Sequence, residues 1–305
     1  MAQVSRVTAY THLTPDDLKP PGEPEVFFEP ADTEIGVWVA ADLLPSGGGG
    51  TVVDLGSGSG AAAAAMARAG AARVHGIDSG EQTLRYARTC YASPPGDSRV
   101  TFARGDFALM SAEQLLATAC APLPEPLIVT SNPAYVPLPP DVDEARPSIS
   151  GGADGLKWAG AIIGHARALG ADLGLTIGGY STPRRAVAVL AEAGYRIAAV
   201  TLCPLPLGDF TRRHPERVLA LEEEGEAVLW RSGPGPLAYF VVGLACRRTD
   251  TGARPGDAKE LMDLLHTAAR STTTQLESLD ASGELPFPWP VRVLDLPPAS
   301  ARHHW

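Results

Sequence analysis

The sequence predicts an α/β fold: a doubly wound sheet of seven strands, with an N-terminal arm and a C-terminal extension. Three observations carry that expectation. Short apolar runs alternate with helix-length segments along most of the chain, the order that produces parallel βαβ units. A glycine-rich turn, Gly56-Ser57-Gly58-Ser59-Gly60, follows the first of these runs. Acidic residues, Asp54, Asp78 and Asp106, accompany the carboxyl ends of three successive runs.

Residues 1–28 are polar and proline-rich (Pro15, Pro20, Pro21, Pro24) and read as an arm holding at most a short helix. Apolar positions from Ile35 to Leu44 predict a helix over Asp32–Leu44, stopped by Pro45 and a glycine run. Thr51–Leu55 is the first buried strand, and Ala61–Ala69 an alanine-rich helix ended by Gly70. Arg73–Ile77 is the second strand, followed by a helix over Glu81–Cys90. Val100–Phe102 and Leu127–Thr130 are the third and fourth strands. A helix over Leu156–Leu169 leads to the fifth strand, Leu173–Ile177, and a helix over Arg184–Ala193 to the sixth, Tyr195–Leu202. Tyr239–Leu244 is the last strand, and Asp209–Pro236 an insertion before it with a helix around Glu216–Glu224. Past Arg248 come a polar linker, a helix over Asp257–Leu279 and a proline-rich tail, Pro286–Pro298. The domain boundaries expected are therefore 1–28 (arm), 29–248 (core domain, insertion 209–236) and 249–305 (extension).

Composition narrows the function classes. Among 305 residues, 45% are hydrophobic and 20% charged, which excludes a disordered or fibrous chain. Thirty-five acidic against 25 basic residues give a net charge of -10, a field that repels a phosphate backbone, so nucleic acid is not an expected partner. No apolar run approaches the roughly 20 residues of a membrane span, and Met1–Arg6 has no secretory pattern. Cys90, Cys120, Cys203 and Cys246 are scattered without ligand spacing, so reduced thiols, a cytoplasmic location and no metal are expected. His75 reads as a core histidine, His165 as a packed or surface one, and His303 and His304 as solvated tail residues.

The glycine turn is the strongest chemical signal. At a strand-to-helix junction, glycines let backbone amides approach a ligand at the helix N-terminus. Asp54 lies two residues before Gly56, where a carboxylate suits a cationic ligand, one with an amino group or a sulfonium. Asp78 ends the second strand about twenty residues on, where an acid accepts from both ribose hydroxyls. That position serves an adenosyl methyl donor and NAD alike. Asp106-Phe107 follows the third strand and suits an adenine, the acid taking its amino group and the ring packing on its face. After the fourth strand comes Asn132-Pro133-Ala134-Tyr135. The Asn132 side-chain oxygen and the Pro133 carbonyl can both accept from one acceptor nitrogen, while Tyr135 packs on its planar group. Proline holds that geometry by fixing φ. The plain alternative is a turn initiator. Tyr180-Ser181-Thr182 follows the fifth strand and reads as a substrate contact or a helix cap.

With these residues the chain resembles the class I S-adenosylmethionine-dependent methyltransferases, whose sheet is Rossmann-like. Within them it is similar to the HemK-type release-factor glutamine methyltransferases, with their NPPY motif. The likeness covers about residues 28–205 and includes Pro30-Ala31-Asp32-Thr33-Glu34, the glycine turn, Asp78, Asp106-Phe107, Asn132–Tyr135 and Gly151-Gly152-Ala153-Asp154-Gly155-Leu156. The resemblance implies S-adenosyl-L-methionine as cofactor. It implies that Thr33, Asp54, Gly56, Ser57, Gly58, Ser59, Gly60, Asp78 and Ser79 hold the methionine and ribose parts, and Asp106 and Phe107 the adenine. Asn132, Pro133 and Tyr135 would grip the acceptor and carry catalysis, with Asn132 also touching the cofactor.

Two departures redirect the substrate expectation. Ala134 replaces the second proline of the motif, and the helical docking domain of the glutamine methyltransferases is not expected ahead of the glycine turn. A small-molecule, biosynthetic acceptor is therefore expected in place of a protein. The alternatives are cyclisation or cleavage of the cofactor itself, a HemK-like protein glutamine methyltransferase, and a non-catalytic binding protein. Monomer and homodimer both stay open.

Overall fold

Strand β1 (Val4–Val7) and helix α1 (Pro30–Leu43) open the computed structural model, which describes residues 4–23, 26–94, 96–145, 148–231, 235–249, 256–273, 276, 279 and 287–297. Four strands separated by three helices follow: β2 (Thr51–Leu55), α2 (Ala61–Arg68), β3 (Arg73–Asp78), α3 (Glu81–Tyr91), β4 (Val100–Arg104), α4 (Ala112–Leu116) and β5 (Leu127–Ser131). Short α5 (Pro140–Asp143) and α6 (Ala159–Ala168) lead to β6 (Asp172–Gly178), α7 (Pro183–Glu192) and β7 (Tyr195–Pro206). The insertion supplies α8 (Asp209–Arg213), α9 (Glu216–Glu223) and β8 (Leu229–Arg231), before β9 (Leu237–Arg248), α10 (Asp257–Ala269) and β10 (Val291–Leu294).

The strands form one sheet in the order β1-β10-β7-β9-β6-β5-β2-β3-β4, with β8 attached to β9. Every pairing is parallel except those of β9, which runs antiparallel to β6, β7 and β8. From β2 the chain winds outward through β3 and β4, then returns to β5 on the other side. That reversal between β2 and β5 opens a crevice at the strands' carboxyl ends, where open α/β sheets bind ligands. The expected seven-stranded doubly wound core is present, and three further strands extend it.

Alternation along the buried strands sends side chains to two apolar layers. Val53, Leu55 and Val242 join the layer covered by α6, α7 and α10, while Val52 and Val241 join the one covered by α1, α2 and α3. The arm departs from the expectation: Val4–Val7 is a strand, not a short helix. Its hydrogen-bonding partner is β10, with Val4 opposite Val291 and Val7 opposite Leu294, so its conformation depends on the far end of the chain. The helix expected over Asp257–Leu279 ends at Ala269. There the Trp230 indole donates to the Ser271 carbonyl (2.7 Å), and β-branched Thr272 and Thr273 do not favour continuation. Much of the proline-rich tail and His303-His304 lie outside the described residues.

Candidate active site

The carboxyl ends of β2, β3, β4 and β5 open into a cleft of about 910 Å³. Its floor is the glycine turn. The Gly56 and Ser57 amides donate to the Ile77 carbonyl (2.8 and 3.1 Å), and the Gly58 amide to Asp78 Oδ2 (2.9 Å). Asp78 Oδ1 accepts from the Gly80 amide (2.8 Å), so this carboxylate ties the turn to the end of β3. Burial holds the Asp78 carboxyl above its usual range, against those amide bonds. Asp54 is buried, accepts from Thr130 Oγ1 (2.9 Å), and is pushed up to about 6, chiefly by burial and further by the charge of Asp78.

Of the residues expected to bind the cofactor, Thr33, Asp54, Gly56, Ser57, Gly58, Ser59, Asp78, Ser79, Asp106, Phe107 and Asn132 line this cleft. Gly60 does not. It caps α2 with φ of 85°, and a Cβ there would meet Phe102 Cζ at 2.7 Å, so its part is to close the turn against β4. Thr33 spends its hydroxyl on the Glu29 carbonyl (2.9 Å). Asp106 Oδ1 accepts from the Ala108 amide (2.9 Å), while Phe107 meets Trp158 edge-on at 5.9 Å. His165 is buried and its Nε2 lies 2.6 Å from the Phe107 carbonyl. That histidine fixes the Asp106-Phe107 loop.

Across the cleft stand Asn132, Pro133 and Tyr135 at the end of β5. The Asn132 side-chain oxygen is buried without a hydrogen-bond partner. Tyr135 is buried. Its hydroxyl donates to Asp32 Oδ2 (2.9 Å) and lies 3.2 Å from the Tyr239 hydroxyl. Its ring sits 6.1 Å from Tyr180, which stacks on Tyr239 at 4.4 Å. Burial raises Asp32 to about 6, with the Tyr135 hydroxyl and the neighbouring Asn132 amide acting in the opposite sense. Burial, and then the charge of Asp32, raises Glu29 to about 7. Asp32, Glu29, Tyr180 and Tyr239 complete this wall. Among these, sequence reasoning singled out Tyr180 and quoted Asp32 only within a motif. Glu29 and Tyr239 are joined to the site by folding alone.

The Gly151–Leu156 segment buttresses this wall. The Val136 amide donates to the Ile149 carbonyl (3.0 Å), and the Gly151 amide to the Val136 carbonyl (2.8 Å). A Cβ on Gly155, at φ of 80°, would lie 2.7 Å from the Tyr135 carbonyl. Ser181 donates to that carbonyl (2.7 Å) and Thr182 to the Asp154 carbonyl (3.0 Å). Neither side chain caps α7; both lock loops to the acceptor wall.

The family model described as a methyltransferase domain matches residues 52–120, the glycine turn through α4. The residues present fit S-adenosyl-L-methionine as a cofactor. The Ser57 hydroxyl is buried without a partner at the glycine turn, the Asp78 carboxylate keeps free lone pairs, and the cleft holds more than one ligand's volume. No curated protein matches the chain. Among solved structures, a ribosomal protein L11 methylase from Lactobacillus delbrueckii subsp. bulgaricus is 16% identical, covering 73% of this chain and 81% of that one (TM-score 0.39). Magnesium protoporphyrin IX methyltransferase from Synechocystis PCC 6803, with bound SAH, is 18% identical over 75% of this chain and 92% of its own (TM-score 0.38). A TehB-like SAM-dependent methyltransferase from Corynebacterium glutamicum is 11% identical over 69% and 87% (TM-score 0.38). The described residues contain no grouping able to hold a metal ion and no helix long and apolar enough to cross a membrane.

Proposed function

We propose that this chain transfers the methyl group of S-adenosyl-L-methionine to a small-molecule acceptor held by Asn132, Pro133 and Tyr135. The observation that carries the reading is the Asn132 side-chain oxygen, a buried acceptor lacking a donor in the same cleft as the glycine turn. A buried polar atom left unpaired costs about 1–3 kcal/mol, and an N–H or O–H of a bound acceptor would satisfy it. The glycine turn, Asp54 and Asp78 would hold the cofactor, with Phe107 against its adenine. The cofactor supplies a methyl group already activated on a sulfonium. What remains for the protein is proximity and alignment, which the rigid Asn132-Pro133 pair provides on one side and the Asp78-anchored turn on the other.

A small acceptor fits the tyrosine-walled end of the cleft, and the net charge of -10 disfavours a nucleic acid. In this reading residues 29–248 carry both subsites, while β1 of the arm and β10 of the extension form the sheet edge.

Calorimetric titration should show adenosylhomocysteine binding at micromolar affinity or tighter, about -8 kcal/mol, and no binding of NAD. Asp78→Ala should weaken it by on the order of 1.5–3 kcal/mol. Asn132→Ala should leave that affinity nearly intact while slowing single-turnover methyl transfer by on the order of 10²–10³. A folded Asn132→Ala enzyme turning over at the parent rate, or release of methylthioadenosine as product, would refute methyl transfer at this loop.

A further inference from the structure

Resting on that reading of the cleft, we infer that its acceptor end binds a protonated amine carried on an apolar body, with Asp32 and Glu29 as the anionic partners. The unpaired polar atoms there point to this ligand class. Asp32 is 2% exposed, lines the cleft, and its Oδ1 has no hydrogen-bond partner. The Asn132 oxygen is likewise unpaired. Both are acceptors, so the missing component must bring N–H or O–H donors. Of the donors beside Asp32, the Tyr135 hydroxyl is committed to Oδ2 (2.9 Å), and the Asn132 amide, which also acts on this carboxylate, leaves its own oxygen unpaired.

Charge selects among donors. The described lining residues include six carboxylates, Glu29, Asp32, Asp54, Asp78, Asp106 and Asp209, against a single cation, Arg212. Arg212 is paired with Asp209 (2.7 Å) at the exposed rim and leaves the inner carboxylates uncompensated. Asp54 and Asp78 lie at the glycine turn, on the cofactor's side. Glu29 and Asp32 are left in the acceptor wall. Burial pushes Glu29 up to about 7 and Asp32 up to about 6, a cost that a cation placed between them relieves. The lining also includes Phe27, Leu205, Leu207 and Pro236, apolar cover for the rest of such a molecule. An ammonium donates three hydrogen bonds; an alcohol donates one, and a carboxylate none.

The test uses three probes of one shape: phenethylamine, 2-phenylethanol and phenylacetate. Each is titrated calorimetrically into the full chain, first alone and then saturated with adenosylhomocysteine. Phenethylamine should bind at least about tenfold tighter than either analogue. Glu29→Gln and Asp32→Asn should each remove most of that preference while adenosylhomocysteine still binds. Equal binding of the three, preference for phenylacetate, or no binding of any would overturn the amine site. So would an Asp32→Asn protein that loses adenosylhomocysteine and keeps phenethylamine, because Asp32 would then serve the cofactor. Should Asp32→Asn fail to fold, the half-buried Glu29→Gln variant decides alone. Phenethylamine bound without adenosylhomocysteine affinity would refute the methyl-transfer reading and leave the amine site standing.

Discussion

The Tyr135 hydroxyl is the donor that makes a buried Asp32 carboxylate tenable. Burial and the charge of Asp32 raise the Tyr135 phenol well above its ordinary range, so the hydroxyl keeps its proton and goes on donating at any physiological pH. Removing it leaves Asp32 Oδ2 without its partner (2.9 Å) while the ring packing survives. Tyr135→Phe should therefore cost about 1–3 kcal/mol of folding stability, the penalty of an orphaned buried acceptor. Tyr135→Ala should cost more, about 3–5 kcal/mol, because a cavity is added. Urea unfolding of the two variants checks the order, and a Tyr135→Phe protein as stable as the parent would remove the hydroxyl from this role. The same residue shows where sequence reading stops. Asn132-Pro133-Ala134-Tyr135 is a local string and readable as such. Its partners Asp32 and Tyr239 lie 103 and 104 positions away, and no spacing rule connects them.

At the level of elements, the readable strands were those buried on both faces and rich in β-branched and other apolar residues, such as Thr51–Leu55, buried at every position. The three strands not anticipated lack that mark. β1 is Val-Ser-Arg-Val, β8 has three residues, and β10 lies within a proline-rich tail. They are strands because of their neighbours, and β10 shows how. Its Arg292 pairs with Asp42 (2.8 Å), reaches Thr201 Oγ1 (3.2 Å) and lies 3.9 Å over the Trp38 ring. One side chain thus joins the extension to α1 and β7. A half-buried ion pair with ring stacking falls between exposed pairs and fully buried ones. Arg292→Met, which keeps the stem and loses the charge, should cost about 2 kcal/mol. Adenosylhomocysteine affinity should not change, since the contact lies outside the cleft lining. A melting curve and a calorimetric titration on one sample test both halves. A loss of affinity as large as the loss of stability would show that the sheet edge and the cleft are coupled.

For the molecule as a whole, the cleft stores a pH dependence whose sign follows from its carboxylates. Asp54 rises from its ordinary range to about 6, chiefly through burial, with the Thr130 bond opposing and the charge of Asp78 adding. Between the unfolded carboxyl's pKa, about 4, and this folded value, the native state binds the extra proton. Unfolding then releases it, so stability falls as pH rises through that window. Asp32 and Glu29, raised to about 6 and about 7, act in the same direction. His75 acts against them. Buried between Thr101 and Thr118, it is lowered to about 4; its unfolded form takes the proton first as pH falls, so its contribution grows as pH rises toward about 6.5. The parent curve mixes both signs, and a difference between two proteins isolates one. Asp54→Asn keeps an acceptor for Thr130 and removes the titration. Relative to the parent, it should gain on the order of 3 kcal/mol between about pH 4 and pH 7, at about 1.4 kcal/mol per pH unit through the window. Urea denaturation at half-unit steps gives the difference curve directly. Parallel curves for parent and variant would mean that the Asp54 carboxylate carries no raised pKa in the folded protein.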